Sequence, residues 1–159
     1  MIFVTVGTQL PFDRLIKAVD IWAQSNLQTK VIAQIGPSKF HPKALTASEF
    51  MAPEVFDRHF AEANLIVAHA GMGSILGALS TAKPIIIMPR SAHLGEHRNE
   101  HQKATADRFR NRAGVLVADD ETSLAHHLDH HAEINGGSPI SPYASPELIK
   151  TLRNFIEAS

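Results

Sequence analysis

Two short blocks carry the residues most able to do chemistry. The first is His69-Ala70-Gly71-Met72-Gly73-Ser74. It follows a short apolar run, Leu65-Ile66-Val67-Ala68, and precedes Ile75, Leu76, Ala78 and Leu79. The pattern is a buried strand, a glycine turn and a helix. Glycines at 71 and 73 leave the turn backbone uncovered. The exposed N–H groups and the helix dipole then form an anion site, suited to the phosphates of a nucleotide. The second block is Gly95-Glu96-His97-Arg98-Asn99-Glu100-His101-Gln102. Within it His97 to His101 matches H-x-x-E-H, a zinc-peptidase pattern. On one helix the two imidazoles could share a metal, but no third ligand is evident, and polar contact with a ligand or solvent is the simpler reading.

Other patterns carry less. Gly71, Gly73 and Gly77 miss the dinucleotide fingerprint by one residue, and no acidic residue stands about twenty positions on. The glycines could also serve strand–helix packing alone. Ser74 lacks the flanking glycines of a nucleophile elbow. His126, His127, His130 and His131 make i, i+4 pairs on a polar stretch that reads as a solvated surface helix. Asp13 could bond loop backbone or a ligand hydroxyl. Asp119-Asp120-Glu121 reads as a capped helix start.

The elements that must position these blocks alternate. Strands are expected at 2–6, 31–35, 45–50, 65–68, 84–88 and 115–117. Helices are expected at about 11–24, 54–63, from Ser74 onward, 97–111, 121–131 and 145–157, with Gly114 capping the fourth. This order implies an α/β fold: a Rossmann-like, doubly wound, mostly parallel sheet with helices on both faces. The first strand then neighbours the fourth, and the crevice opens beyond their C-terminal ends. That topology brings Gly7 and Thr8 to the His69–Ser74 turn, with the loop after residue 88 beside them.

The chain has 159 residues, the length of one domain, with a core over about 1–118 and C-terminal helices over 119–159. Fifteen basic against sixteen acidic residues leave a formal charge of −1, which disfavours a general nucleic-acid or anionic-membrane binder. The absence of cysteine excludes disulfides, thiolate zinc sites and a cysteine nucleophile. The N-terminus does not read as a signal peptide, and no apolar run approaches the roughly 20 residues of a bilayer span.

Four blocks together resemble the C-terminal, nucleotide-sugar-binding half of GT-B glycosyltransferases of family 28. They are Val4-Thr5-Val6-Gly7-Thr8 with Phe12-Asp13-Arg14-Leu15-Ile16; the His69–Ser74 block; Lys83-Pro84-Ile85-Ile86; and the Gly95–Gln102 block. The chain most resembles the stand-alone donor-binding subunits of two-chain enzymes, those of bacterial exopolysaccharide synthesis and of the dolichol-pathway N-acetylglucosaminyltransferase. The resemblance implies a UDP-sugar donor. His69, Ala70, Gly71, Met72, Gly73 and Ser74 would hold the diphosphate, with Gly7 and Thr8 across the cleft. Glu96, His97, His101 and Gln102 complete the implied site, the last two matching the segment that reaches ribose and sugar. Family members commonly carry an acidic residue at the place of Gly77 for the ribose hydroxyls; here Glu96 or Glu100 substitutes, or ribose is held differently.

The resemblance further implies inverting transfer without a bound metal or other cofactor. The catalytic base belongs to the missing half. A membrane-associated partner subunit that presents a lipid-linked saccharide acceptor is therefore expected, with the chain cytoplasmic and peripheral at the inner face of the membrane. Two other readings stand beside this one: a non-catalytic nucleotide-sugar-binding or regulatory subunit, and an NAD-dependent oxidoreductase.

Overall fold

The computed structural model describes residues 1–157. Among them six strands form one all-parallel sheet. In chain order these are β1 (Ile2–Thr5), β2 (Val31–Gln34), β3 (Thr46–Ser48), β4 (Leu65–His69), β5 (Ile85–Met88) and β6 (Val115–Val117). The spatial order is β3-β2-β1-β4-β5-β6. β1 therefore lies between β2 and β4, with Ile2 opposite both Val31 and Leu65. The expected reversal of strand order at the first and fourth strands is present.

The helices are α1 (Asp13–Ser25), α2 (Pro53–Glu62), α3 (Met72–Ser80), α4 (His101–Phe109), α5 (Glu121–Asp129) and α6 (Pro146–Glu157). Strand side chains alternate between two cores. Ile2, Val4, Val67 and Ile86 pack with Leu15, Ile16 and Val19 of α1 and Leu124 and Leu128 of α5. Phe3, Ile66, Ile85 and Ile87 pack with Ile75, Ala78 and Leu79 of α3 and Ala106 of α4. Both faces of the sheet are covered, so its central strands are apolar throughout.

Two polar contacts tie the first core together. Asp20 is 1% exposed and accepts from the backbone N–H groups of Lys43 and Ala44, fastening the 43–44 segment to α1. Trp22 Nε1 donates to Asp129 of α5 at 2.9 Å. Asp13 stands in the first turn of α1 and accepts from the Ser38 hydroxyl, a side-chain partner rather than the loop backbone.

Four expectations are corrected. The fourth helix begins at His101, not 97, because Glu96 and Glu100 accept from the N–H groups of Ser91 and Ala92 and hold 91–100 as a loop. His97 and His101 consequently share no helical face, and no group of three or more His, Asp or Glu among the described residues is placed to hold a metal ion. Gly114 is not the helix cap: α4 ends at Phe109, and Gly114 takes φ +84 where the chain enters β6. The fifth helix ends at Asp129 and is no solvated surface helix, since Leu124 and Leu128 are fully buried. The packed body thus runs beyond residue 118. Asp120 does cap α5, accepting from Ser123 N–H while the Ser123 hydroxyl accepts from Asp120 N–H.

Candidate functional site

A cleft of about 720 Å³ opens at the C-terminal ends of β1 and β4. This is the switch point where open α/β sheets hold ligands. Its anionic end is built on α3. Gly71 is the N-cap residue in extended conformation, and no side chain caps the helix. The first-turn N–H groups of Met72, Gly73 and Ser74 therefore face the cleft without an intrahelical partner.

The imidazole of His69 lies between two glycines. A Cβ on Gly71 would collide with its Nε2, and one on Gly7 would come within 2.9 Å of its Cε1. Gly7 also takes φ +77, a conformation that disfavours any side chain. Glycine at both positions is a condition for the ring to lie there. His69 Nδ1 is buried and makes no hydrogen bond among the described residues. Burial first, then the charge of Arg90, and more weakly His97, push its pKa down to about 4, against a weaker opposite pull from the Thr5 backbone. At neutral pH the ring is uncharged, offering one donor and one acceptor.

Arg90 is the principal residue that the sequence did not single out for the site. It is 4% exposed and lines the cleft. Its Nη2 donates to the carbonyls of Val6 and Leu10, and its guanidinium lies 5.2 Å from the Phe12 ring centroid. Nε is buried without a partner among the described residues. Burial lowers its pKa, with Glu96 opposing, yet an arginine so placed stays charged. The only sequence signal was its position directly after the apolar run of β5.

The expected site residues divide. Gly7, Thr8, His69, Gly71, Met72, Gly73, Ser74, His97 and Gln102 line the cleft. Gln102 is buried and accepts from Arg90 N–H at 3.1 Å. Ala70, Glu96 and His101 do not line it. Ala70 belongs to the second core. Glu96 is held by Arg14, at 2.7 Å from Nε and 2.8 Å from Nη2, and is occupied with structure. His101 is exposed in the first turn of α4. The opposite wall comes from α2 and the residues before it, where Met51, Phe56, Asp57 and Phe60 were not foreseen.

The sequence model of the glycosyltransferase family 28 C-terminal domain matches residues 1–133. The chain belongs to this family. Family 28 relatives include the UDP-N-acetylglucosamine transferase subunit ALG13 of Homo sapiens, 31% identical over 114 residues, with 64% of this chain and 10% of that protein covered. The Mus musculus protein of the same name is 27% identical over 111 residues. The chain spans about a tenth of the length of these curated relatives. Among solved structures, the NMR structure of ALG13 superposes with a TM-score of 0.62 at 22% identity, covering 95% of this chain and 94% of that one. MurG of Acinetobacter baumannii gives 0.57 at 16% identity, covering 82% and 40%. SsfS6 of Streptomyces sp. SF2575, a glycosyltransferase complexed with thymidine diphosphate, gives 0.52 at 17% identity, covering 84% and 33%. The Rossmann-like α/β fold is thus shared with glycosyltransferases, in which it forms a minor part of longer chains such as MurG and SsfS6.

Proposed function

We propose that this family 28 chain is the donor-binding subunit of an inverting glycosyltransferase. It would move a hexose-type sugar from a UDP-sugar to a lipid-linked acceptor during exopolysaccharide assembly. The observation that carries the reading is the anion-binding end of the cleft, lined by an uncapped helix N-terminus and by the buried cation Arg90. In such a transfer the bond from the anomeric carbon to the diphosphate oxygen breaks while a bond to the acceptor oxygen forms. The acceptor proton passes to a base, and the nucleoside diphosphate leaves with added negative charge. Preorganised N–H groups and Arg90 stabilise that charge where it develops.

The base is a different matter. His69, with its pKa at about 4, is too weak to take a hydroxyl proton efficiently at neutral pH. Proton removal is assigned to a partner subunit. Two observations support a partner. ALG13 is itself named as a subunit. No residue of α6 is buried, and Leu148, Ile149, Leu152 and Ile156 form an exposed apolar stripe at helical spacing. No helix among the described residues is long and apolar enough to cross a membrane. Contact with a lipid-linked acceptor therefore falls to a membrane-associated partner, which holds this chain at the cytoplasmic face.

Calorimetric titration with UDP tests the donor site, with GDP, NAD and zinc as controls and Ser74→Ala as the variant. Saturable UDP binding that weakens in Ser74→Ala is expected. NAD or zinc binding in place of UDP would overturn the reading. Transfer of labelled sugar only after addition of the partner chain would establish the two-subunit enzyme over a regulatory binding protein.

A further inference from the structure

Four of the ten histidines, His126, His127, His130 and His131, cluster at the end of α5. The sequence around them is acidic: residues 113–149 hold six Asp or Glu and no Lys or Arg. None of the four lines the cleft. Two of them are engaged in the fold. His127 Nε2 donates to the Val117 carbonyl at 3.3 Å. His131 Nδ1 donates to the Leu128 carbonyl at 2.8 Å, and its ring stands edge-on to Trp22.

The other two, His126 and His130, are exposed and lie four residues apart, so they neighbour each other at the last turn of α5. Their ring centroids are 4.7 Å apart. His130 Nδ1 donates to the His126 carbonyl at 2.9 Å. In the neutral ring that bond leaves the lone pair on Nε2, the tautomer that metal-bound histidines adopt when a carbonyl holds the other nitrogen. The His126 ring makes no hydrogen bond among the described residues.

The spacing sets the kind of ion. An imidazole nitrogen binds a first-row ion at about 2.0–2.1 Å, which puts the ion about 3.2 Å from the ring centroid. Two centroids 4.7 Å apart then subtend about 95° at the ion. This is close to the right angle of square-planar or octahedral copper and nickel, and narrower than the tetrahedral angle of structural zinc. No third His, Asp or Glu joins the pair among the described residues, so water fills the other positions. The negative end of the α5 dipole and the acidic sequence both favour a cation here.

We infer that His126 and His130 form a two-imidazole site for a divalent copper or nickel ion. The site lies outside the cleft and does not depend on the donor reading. Its ion staples the last turn of α5, the helix whose Asp129 accepts from Trp22 of α1.

The test is nickel titration of the full chain, prepared without a polyhistidine tag, and of His126→Ala, His130→Ala, the double variant and the exposed control His93→Ala. The unmodified chain and the control should each bind one equivalent with equal affinity. Either substitution in the pair should weaken binding at least about tenfold. The double variant should match the single ones within about twofold, because chelation is lost with the first ring. Copper should bind more tightly than nickel, and magnesium should not bind. Traces of copper should broaden the ring proton signals of His126 and His130 before those of other histidines. Circular dichroism checks that the variants fold, and UDP titration should be the same in all of them. Absence of nickel binding by the unmodified chain overturns the inference, as does full affinity in either single variant. An equal loss in His93→Ala also overturns it, marking binding by scattered imidazoles. So do single losses that add in the double variant, which mark two independent rings. None of these results bears on UDP, and absence of UDP binding leaves this site standing.

Discussion

Replacing Arg90 with methionine probes the floor of the cleft. Methionine retains the stem and its contact with Phe12 but removes the donor from two backbone carbonyls, those of Val6 and Leu10. Hydrogen bonds from a charged donor contribute about 1.5–3 kcal/mol each, or about 3–6 kcal/mol for the pair. Part of this is offset, because burial penalises the guanidinium charge, as its lowered pKa shows, and the variant escapes that penalty. A net loss of about 2–3 kcal/mol remains, equivalent in a chain of this size to a fall in Tm of about 5–10 °C. Thermal unfolding followed by circular dichroism measures it, and pyrophosphate titration on the folded variant reads the loss of the guanidinium charge from the cleft wall. Arg90→Lys keeps a charge without the fork and should recover part of both the stability and the anion affinity. A Tm unchanged within about 2 °C, together with intact pyrophosphate binding, would refute the reasoning. Neither carbonyl would then depend on Arg90, and its charge would not act on the ligand.

His69 gives the fold a pH dependence of definite sign. Above the unfolded value of 6.5 the ring is neutral in both states, and no proton is exchanged on unfolding; between 6.5 and about 4 only the unfolded ring binds a proton, so stability falls as pH falls. The contribution lost by pH 4.5 is on the order of 2–3 kcal/mol. Urea unfolding at pH 7.5 and 4.5 should show the unmodified chain losing that much more than His69→Asn; identical losses would mean that the surroundings do not hold the ring neutral. The glycines of the turn should respond with opposite signs. Gly71→Ala drives a methyl into the His69 ring and should destabilise by about 1–3 kcal/mol while abolishing UDP binding. Gly73→Ala meets nothing within 4 Å inside α3 and should be neutral or stabilising by up to about 1 kcal/mol, with Tm as the readout for both.

The sheet was legible because its signals are local. Each central strand is a short apolar run, the glycine turn follows β4 directly, and the alternation with helices imposes one topology. The pieces that were not legible depend on partners far along the chain. Arg90 is buried through carbonyls 84 and 80 residues away. Glu96 is removed from the cleft by Arg14, 82 residues distant. In isolation an arginine after a strand and a glutamate in a polar loop look exposed and free. The start of α4 was missed for a subtler reason: residues 97–100 have helical composition, but the carboxylates of Glu96 and Glu100 bond loop N–H groups and keep the segment open. The α2 wall of the cleft was overlooked because Phe56 and Phe60 also stack with each other, at 5.9 Å, and pack on the second core, so their pattern reads as interior alone.

The central place of β1 also governs when the cleft comes into being. Its first four residues find one neighbour within about thirty positions, at β2, but the other only at β4, more than sixty positions on. Long-range parallel pairing must first overcome the closure of the intervening loop, which makes it slow relative to local helix formation. A growing chain therefore carries β1 with one open edge until residues 65–69 have been made. The seam that then closes, β1 against β4, is the one at whose end Gly7 and His69 meet. Creation of the binding site is therefore tied to that closure, and a fragment ending before β4 keeps β1, β2 and β3 as partners but lacks the cleft.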